Sequence, residues 1–244
     1  MTLPKIKING IKQILGVISG KGGVGKTFIA SNLAISLAKL GKSTGLFDAD
    51  ISYPNVFKIL GLRSKTIPTA DNKIIPIEKY GIKIVSMAGL LNQEDEPITW
   101  RGPIMSKIIQ QLLRTAVWRD LDTLIIDFPT GSSDCVTTIF QNFAVDGVIV
   151  ITTPQQLSLL YAKRTINLCE TLQVPVVGVV ENMRGEIFGE GGASSLAETY
   201  RLPILGSIPM RKQISAFCDQ GIPPVLQMNE LEMIFTKMAR FLIR

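Results

Sequence analysis

No histidine occurs anywhere in the 244 residues. That excludes Ser-His-Asp triads, histidine-ligated zinc and imidazole general bases. Any chemistry must run on carboxylates, lysines, hydroxyls, backbone dipoles and a metal ion. Cysteine is scarce as well: Cys135, Cys169 and Cys218 are the three present, far apart in sequence. Such usage argues against a disulfide scaffold and for a reducing compartment, so the cytoplasm is the expected location. No apolar run approaches the roughly 18 residues that a membrane helix needs. The first twelve residues, MTLPKIKINGIK, are basic but lack the apolar core of a secretory signal.

What is there describes an ordinary globular chain, with 46% hydrophobic and 19% charged residues. The formal charge of +6 is dispersed, its densest cluster running from Lys5 to Lys12. A pocket for a polyanionic nucleotide accounts for part of that excess, so neither nucleic acid nor membrane is the expected partner.

The most informative stretch is Gly20-Lys21-Gly22-Gly23-Val24-Gly25-Lys26-Thr27. In a phosphate-binding loop the glycines let successive backbone N–H groups turn inward around phosphate oxygens. The expected binding set is Gly20, Gly22, Gly23, Val24, Gly25, Lys26, Thr27 and Phe28. Lys26 is placed to reach the β- and γ-phosphates of ATP, and Thr27 to put its hydroxyl on Mg²⁺. Ile14–Ile18 reads as a buried strand feeding the loop, and Thr27–Leu40 as a helix closed by Gly41. That order puts the positive end of the helix under the phosphates.

Further apolar strands are expected at Thr44–Phe47, Ile82–Ser86, Thr123–Asp127, Gly147–Thr152, Val176–Val180 and Ile204–Ile208. Helical spacing marks 103–118, 156–172, 193–200, 211–220 and 230–243. Alternation of this kind predicts an α/β fold of the P-loop NTPase type, with a mostly parallel sheet and helices on both faces. Residues 1–244 form the expected single domain, with 1–12 as an N-terminal extension and Gly61–Lys79 as a surface excursion.

In such sheets ligands sit beyond the carboxyl ends of the strands, which makes the acids there the candidates for chemistry. Asp127 ends the run Leu124-Ile125-Ile126, a Walker B pattern suited to orienting Mg²⁺ through a bound water. Asp48 and Asp50 are two apart at another strand end and project from one face if the chain stays extended. With no histidine, Asp50 is the candidate for holding an attacking water in line with the γ-phosphate, and Asp48 for the metal shell. The small residues Gly131-Ser132-Ser133-Asp134 read as a loop that senses the γ-phosphate.

These motifs resemble the deviant Walker A class of dimerising ATPases, which includes MinD, ParA, the nitrogenase iron protein and the Mrp/ApbC proteins. Lys21 is the mark of that class. The resemblance implies a homodimer in which Lys21 reaches the partner's nucleotide, as an arginine finger does elsewhere. Within the class the chain is most similar to the Mrp/ApbC iron–sulfur carriers, through Asp48-Ala49-Asp50-Ile51, Trp100-Arg101-Gly102-Pro103, Thr152-Thr153-Pro154-Gln155 and Val180-Glu181-Asn182-Met183. Ile187-Phe188-Gly189 followed by Gly191-Gly192-Ala193 adds to it. By the same resemblance Asn182 contacts the adenine and the segment around Pro209 lines its pocket.

One departure is plain. Carriers of this type have a C-x-x-C shortly after the Glu-Asn-Met string, whereas here Met183 runs through Arg184-Gly185-Glu186 directly to Ile187. None of the three cysteines forms a pair with ligand spacing, which speaks against a resident iron–sulfur cluster. The expected activity is therefore slow Mg-ATP hydrolysis by a homodimer, in or derived from cluster transfer, with client or carrier proteins as partners. The alternative is a ParA- or MinD-like positioning ATPase acting on DNA or membrane. The amphipathic segment Leu231, Ile234, Phe235, Met238, Phe241 and Leu242, with Lys237, Arg240 and Arg244, is its candidate membrane helix.

Overall fold

Buried apolar residues on β1 (Ile11–Ile18) alternate between two hydrophobic cores. Ile14 and Ile18 belong to one, Leu15 and Val17 to the other. The same holds on β5 (Leu121–Asp127), where Leu124 and Ile126 face one way and Ile125 the other. A strand covered on both sides gains from apolar side chains at every position, which is why these strands read as continuous hydrophobic runs. The computed structural model describes residues 4–243 except 67, 92, 94 and 95. Residues 1–3 of the expected extension, position 67 of the expected excursion and Arg244 of the terminal segment lie outside the described residues.

Eight strands form one sheet. The remaining six are β2 (Thr44–Asp48), β3 (Ile77–Lys79), β4 (Ile82–Val85), β6 (Gly147–Thr152), β7 (Val176–Arg184) and β8 (Ile204–Pro209). Their spatial order is β3-β4-β2-β5-β1-β6-β7-β8, parallel except for the β3–β4 pair. On one face lie α3 (Gly102–Thr115), α4 (Asp134–Asn142), α5 (Gln156–Thr171) and α6 (Gly192–Tyr200). The other face carries α1 (Lys26–Lys39), α2 (Val56–Ile59), α7 (Lys212–Asp219) and α8 (Asn229–Leu242).

The observed elements correct several expectations. The sensing loop is shorter than expected: Ser133 caps α4 by accepting from the Val136 N–H at 3.5 Å, so Asp134 already lies in a helix. A serine followed by an acid is the local signal of this helix start. The excursion at 61–79 contributes β3, an antiparallel edge strand too short for a periodic pattern. The basic N-terminal segment is tied down, with Ile6 bonded to Asn142 and Ala144 beside the end of α4. Helix α3 stops at Thr115, and Trp118 beyond it is fully buried.

Leu231, Phe235, Met238 and Leu242 of α8 are buried against α1 and β8. Most of the apolar stripe that could have met a lipid surface is thus occupied by the protein's own core, while Phe241 stays exposed. Among the described residues no helix is long and apolar enough to cross a membrane.

Candidate functional site

The phosphate loop joins β1 to α1 at the centre of the sheet, between β5 and β6. Gly25 caps α1 in the left-handed region, at φ +89°, where a side chain is strained. A Cβ there would also lie 2.3 Å from Nδ2 of Asn182. At the other end of the loop, a Cβ on Gly20 would come within 2.4 Å of the Tyr161 carbonyl oxygen on α5. Both glycines are required by close backbone approach, and the loop is thereby held between α5 and the end of β7.

Asn182 supplies the second hold. Its side chain, 5% exposed, donates from Nδ2 to the Val24 carbonyl at 2.8 Å. Pro209 ends the neighbouring strand β8, in register with Arg184, whose carbonyl accepts from the Met210 N–H at 2.7 Å. The two residues expected around adenine therefore lie near the ends of adjacent strands, with Asn182 against the loop.

Lys26 and Lys21 diverge. The Lys26 ammonium donates to Oγ1 of Thr130 at 2.9 Å, across the mouth of the loop. Burial lowers its pKa, against the opposing pull of Asp127, Asp50 and Asp48. Lys21 instead donates to Oε1 of Gln155 at 3.2 Å, towards the start of α5, where Leu157 and Leu160 are exposed.

Three carboxylates approach the loop from β2 and β5. Asp48 and Asp127 are register partners on those neighbouring strands. Asp127 is buried, and its Oδ1 has no hydrogen-bond partner. Burial pushes its pKa up to about 7, opposed by the Thr27 hydroxyl and the Lys26 ammonium. An unpartnered buried carboxylate oxygen beside a hydroxyl is an arrangement that a hard cation would complete. Asp50 is half-buried and accepts from the Tyr53 N–H at 3.2 Å. Its pKa too is raised by burial, against that bond and Lys26.

Asp48 differs from both. Its Oδ1 accepts from the Asp50 N–H at 3.2 Å, while Oδ2 accepts from the Val56 N–H at 3.2 Å and the Ser86 hydroxyl at 2.9 Å. Burial first, and Asp127 second, hold its pKa well above the ordinary carboxylate range. Ser86 escaped the sequence reading, since a serine after a strand carries no signal of a partner 38 residues earlier.

Glu181 is 3% exposed and caps α6. Its two oxygens accept from the N–H groups of Gly191 at 3.1 Å and Ala193 at 2.8 Å. Between β7 and α6 the chain makes a tight turn, closed by reciprocal backbone bonds of 2.9 and 2.7 Å between Gly185 and Gly189. The three cysteines sit on separate helices, α4, α5 and α7. Burial pushes the thiols of Cys135 and Cys218 up to about 11 and that of Cys169 to about 12. An open cleft of about 930 Å³ lies elsewhere, beside Tyr53, Arg63, Ile98 and Asp219, and includes no residue of the phosphate loop.

The family model described as "ParA: NUBPL iron-transfer P-loop NTPase" matches residues 10–243. An iron-sulfur cluster carrier protein of Aquifex aeolicus is 40% identical over 250 residues, covering 97% of this chain and 68% of the relative. Among solved structures, a nucleotide-binding protein from Archaeoglobus fulgidus in complex with ADP is 30% identical with a TM-score of 0.78, covering 93% of each chain. The cell division ATPase MinD of Pyrococcus furiosus shares the fold, with a TM-score of 0.72 at 20% identity over 95% of this chain and 98% of that one.

Proposed function

Because the chain belongs to the NUBPL iron-transfer P-loop NTPase family of the ParA group, we propose that it is a slow Mg-ATPase that closes as a homodimer and acts in iron–sulfur protein maturation. The observation that carries this reading is the unpartnered, buried Oδ1 of Asp127 beside Thr27 and Lys26. Without a cation that oxygen is a cost to the fold; with one it is a ligand.

The backbone N–H groups from Gly20 to Phe28, at the N-terminus of α1, receive the phosphates, and Lys26 leaves Thr130 to meet the β- and γ-oxygens. Thr27 and Asp127 hold magnesium, which spreads the charge of the phosphate oxygens when bound. Asp50, raised in pKa yet still paired with Tyr53, holds the attacking water. Asp48 takes a different part from the metal-shell role expected of it. With both oxygens engaged it acts as a positioning residue that fixes the Asp50 turn. Lys21, aimed along the surface towards α5, serves the nucleotide of the second copy, and Leu157 and Leu160 supply apolar area to that contact. Asn182 and the end of β8 at Pro209 face the adenine.

Phosphate release by the purified protein tests the engine. Hydrolysis is expected with Mg²⁺, absent in EDTA, and reduced at least about 100-fold by Lys26→Ala and Asp50→Asn. Native turnover in Lys21→Ala would remove the two-chain mechanism. The load is tested separately. With the three thiols on separate helices and raised in pKa, the cluster is carried by a client or carrier protein. Anaerobically purified protein is expected to contain little iron and sulfide; a stable stoichiometric cluster would overturn this.

A further inference from the structure

Thr130 has a part in the site that neither its residue type nor its neighbours in sequence advertise. It follows the Asp127 strand on a segment pinned by two backbone bonds to the end of β1 and the residue after it, just ahead of the phosphate loop. The Phe128 N–H donates to Val17 O at 3.0 Å, and the Gly131 N–H to Ser19 O at 3.0 Å. Between those pins the Thr130 hydroxyl stands over the loop. Its Oγ1 accepts from Lys26 at 2.9 Å and lies 3.9 Å from where a Cβ of Gly22 would be. One hydroxyl thus faces both the early and the late part of the loop. The residue is exposed, on the open side of the site.

A hydroxyl accepts from an ammonium and donates to a phosphate oxygen, so the same atom suits both states of the loop. The first two phosphates of a nucleotide lie in the cradle of loop amides. On the nucleotide reading, a third would extend towards the mouth, where Thr130 and Lys26 meet. We propose that Thr130 is a specificity-determining residue that separates nucleoside triphosphate from diphosphate. Its hydroxyl accepts from Lys26 when the loop is empty and donates to the terminal phosphate when a triphosphate draws Lys26 away. A diphosphate leaves the hydroxyl without a phosphate partner. This assignment rests on the nucleotide reading of the preceding section.

The test measures affinities for ADP and for a non-hydrolysable ATP analogue, each with Mg²⁺, in the wild type, Thr130→Val and Thr130→Ser. Valine keeps the shape of threonine and removes the hydroxyl; serine keeps the hydroxyl. The expected result is that Thr130→Val lowers the preference for the analogue over ADP by about tenfold, the worth of one hydrogen bond to a charged group. Thr130→Ser retains the wild-type preference. An unchanged ratio in Thr130→Val overturns the assignment, whether both affinities stay the same or both fall together. A wild-type protein that binds neither nucleotide overturns the nucleotide reading itself, and the Thr130 assignment with it, before any substitution is made.

Discussion

Asn182, at the end of β7, donates to the carbonyl of Val24, 158 residues earlier in the chain, at 2.8 Å. The phosphate loop therefore depends on a strand that contributes none of its residues. Asn182→Ala leaves the Val24 carbonyl without this partner in a buried place, at a cost of about 1–3 kcal/mol of stability. ATP affinity is expected to fall with it, since the amides that receive phosphate lose their brace. Thermal unfolding and nucleotide titration of the same variant check the two effects together.

Asp48 and Asp50 are expected to separate cleanly. Asp48→Ala frees the Val56 N–H and the Ser86 hydroxyl inside the protein, and a loss of about 2–4 kcal/mol is expected from the unsatisfied groups and the void. Asp50→Asn keeps the fold within about 0.5 kcal/mol, because it is half-buried and its oxygen still accepts from Tyr53. Hydrolysis disappears while nucleotide binding survives. Equal melting temperatures for the two variants would reverse these roles.

The buried Asp127 makes a prediction about pH. Its folded-state pKa of about 7 lies above the ordinary 3.8. Folding therefore favours its protonated form, and the stability from this group is complete below pH 3.8 and lost as pH rises to about 7. The slope approaches about 1.4 kcal/mol per pH unit. In EDTA the protein should melt higher at pH 5 than at pH 7.5, and Asp127→Asn, which cannot lose a proton, should flatten that difference. Magnesium with nucleotide competes with the proton, so its stabilising effect should grow as pH rises through 7. A slope that is the same in Asp127→Asn would assign the titration to other groups.

Gly102, at the start of α3, leaves room for the Asp134 carboxylate: a Cβ on Gly102 would stand 1.8 Å from Oδ2 of Asp134. The carboxylate lies against the N-terminal turn of α3, where a negative charge is favoured by about 0.3–1 kcal/mol. Asp134→Ala should cost about that much in the wild type and nothing in a Gly102→Ala background, where the carboxylate has already been displaced. A double-mutant cycle by denaturant unfolding measures it. Helix α3 also touches the Asp50 side of the site through Ser52 and Met105 at 3.0 Å, and α4 through Ser106 and Thr138 at 2.9 Å. A shift of Asp134 is thus expected to be felt in turnover as well as in stability.

Much of this was legible in the sequence because the signals are local. A strand, eight loop residues and a helix are contiguous, and each carries its own pattern, so the phosphate loop, the parallel sheet and the acids at the strand ends could be read directly. Helix α4 is marked in sequence only by Ser133 and Asp134, and the small residues before them have the composition of a loop. The short edge strand β3 has no signature in the sequence, because three residues carry no period. Asp48 was placed at the right strand end, but its partners could not be seen. Ser86 directly follows β4, and only the pairing of β4 with β2 brings the two within bonding distance.

By itself, then, the sequence pointed to the class of chemistry: no imidazole, a phosphate cradle, and Lys26 and Thr27 as the residues expected to meet phosphate and metal, with Lys21 carrying the resemblance from which a two-chain ATPase is proposed. Tertiary structure decided which groups remain available for it. Burial and hydrogen bonding engage both oxygens of Asp48, leave Oδ1 of Asp127 open, aim Lys21 at Gln155 and set Thr130 over Lys26. Those outcomes depend on contacts between residues scores of positions apart, and a linear pattern carries no record of such distances.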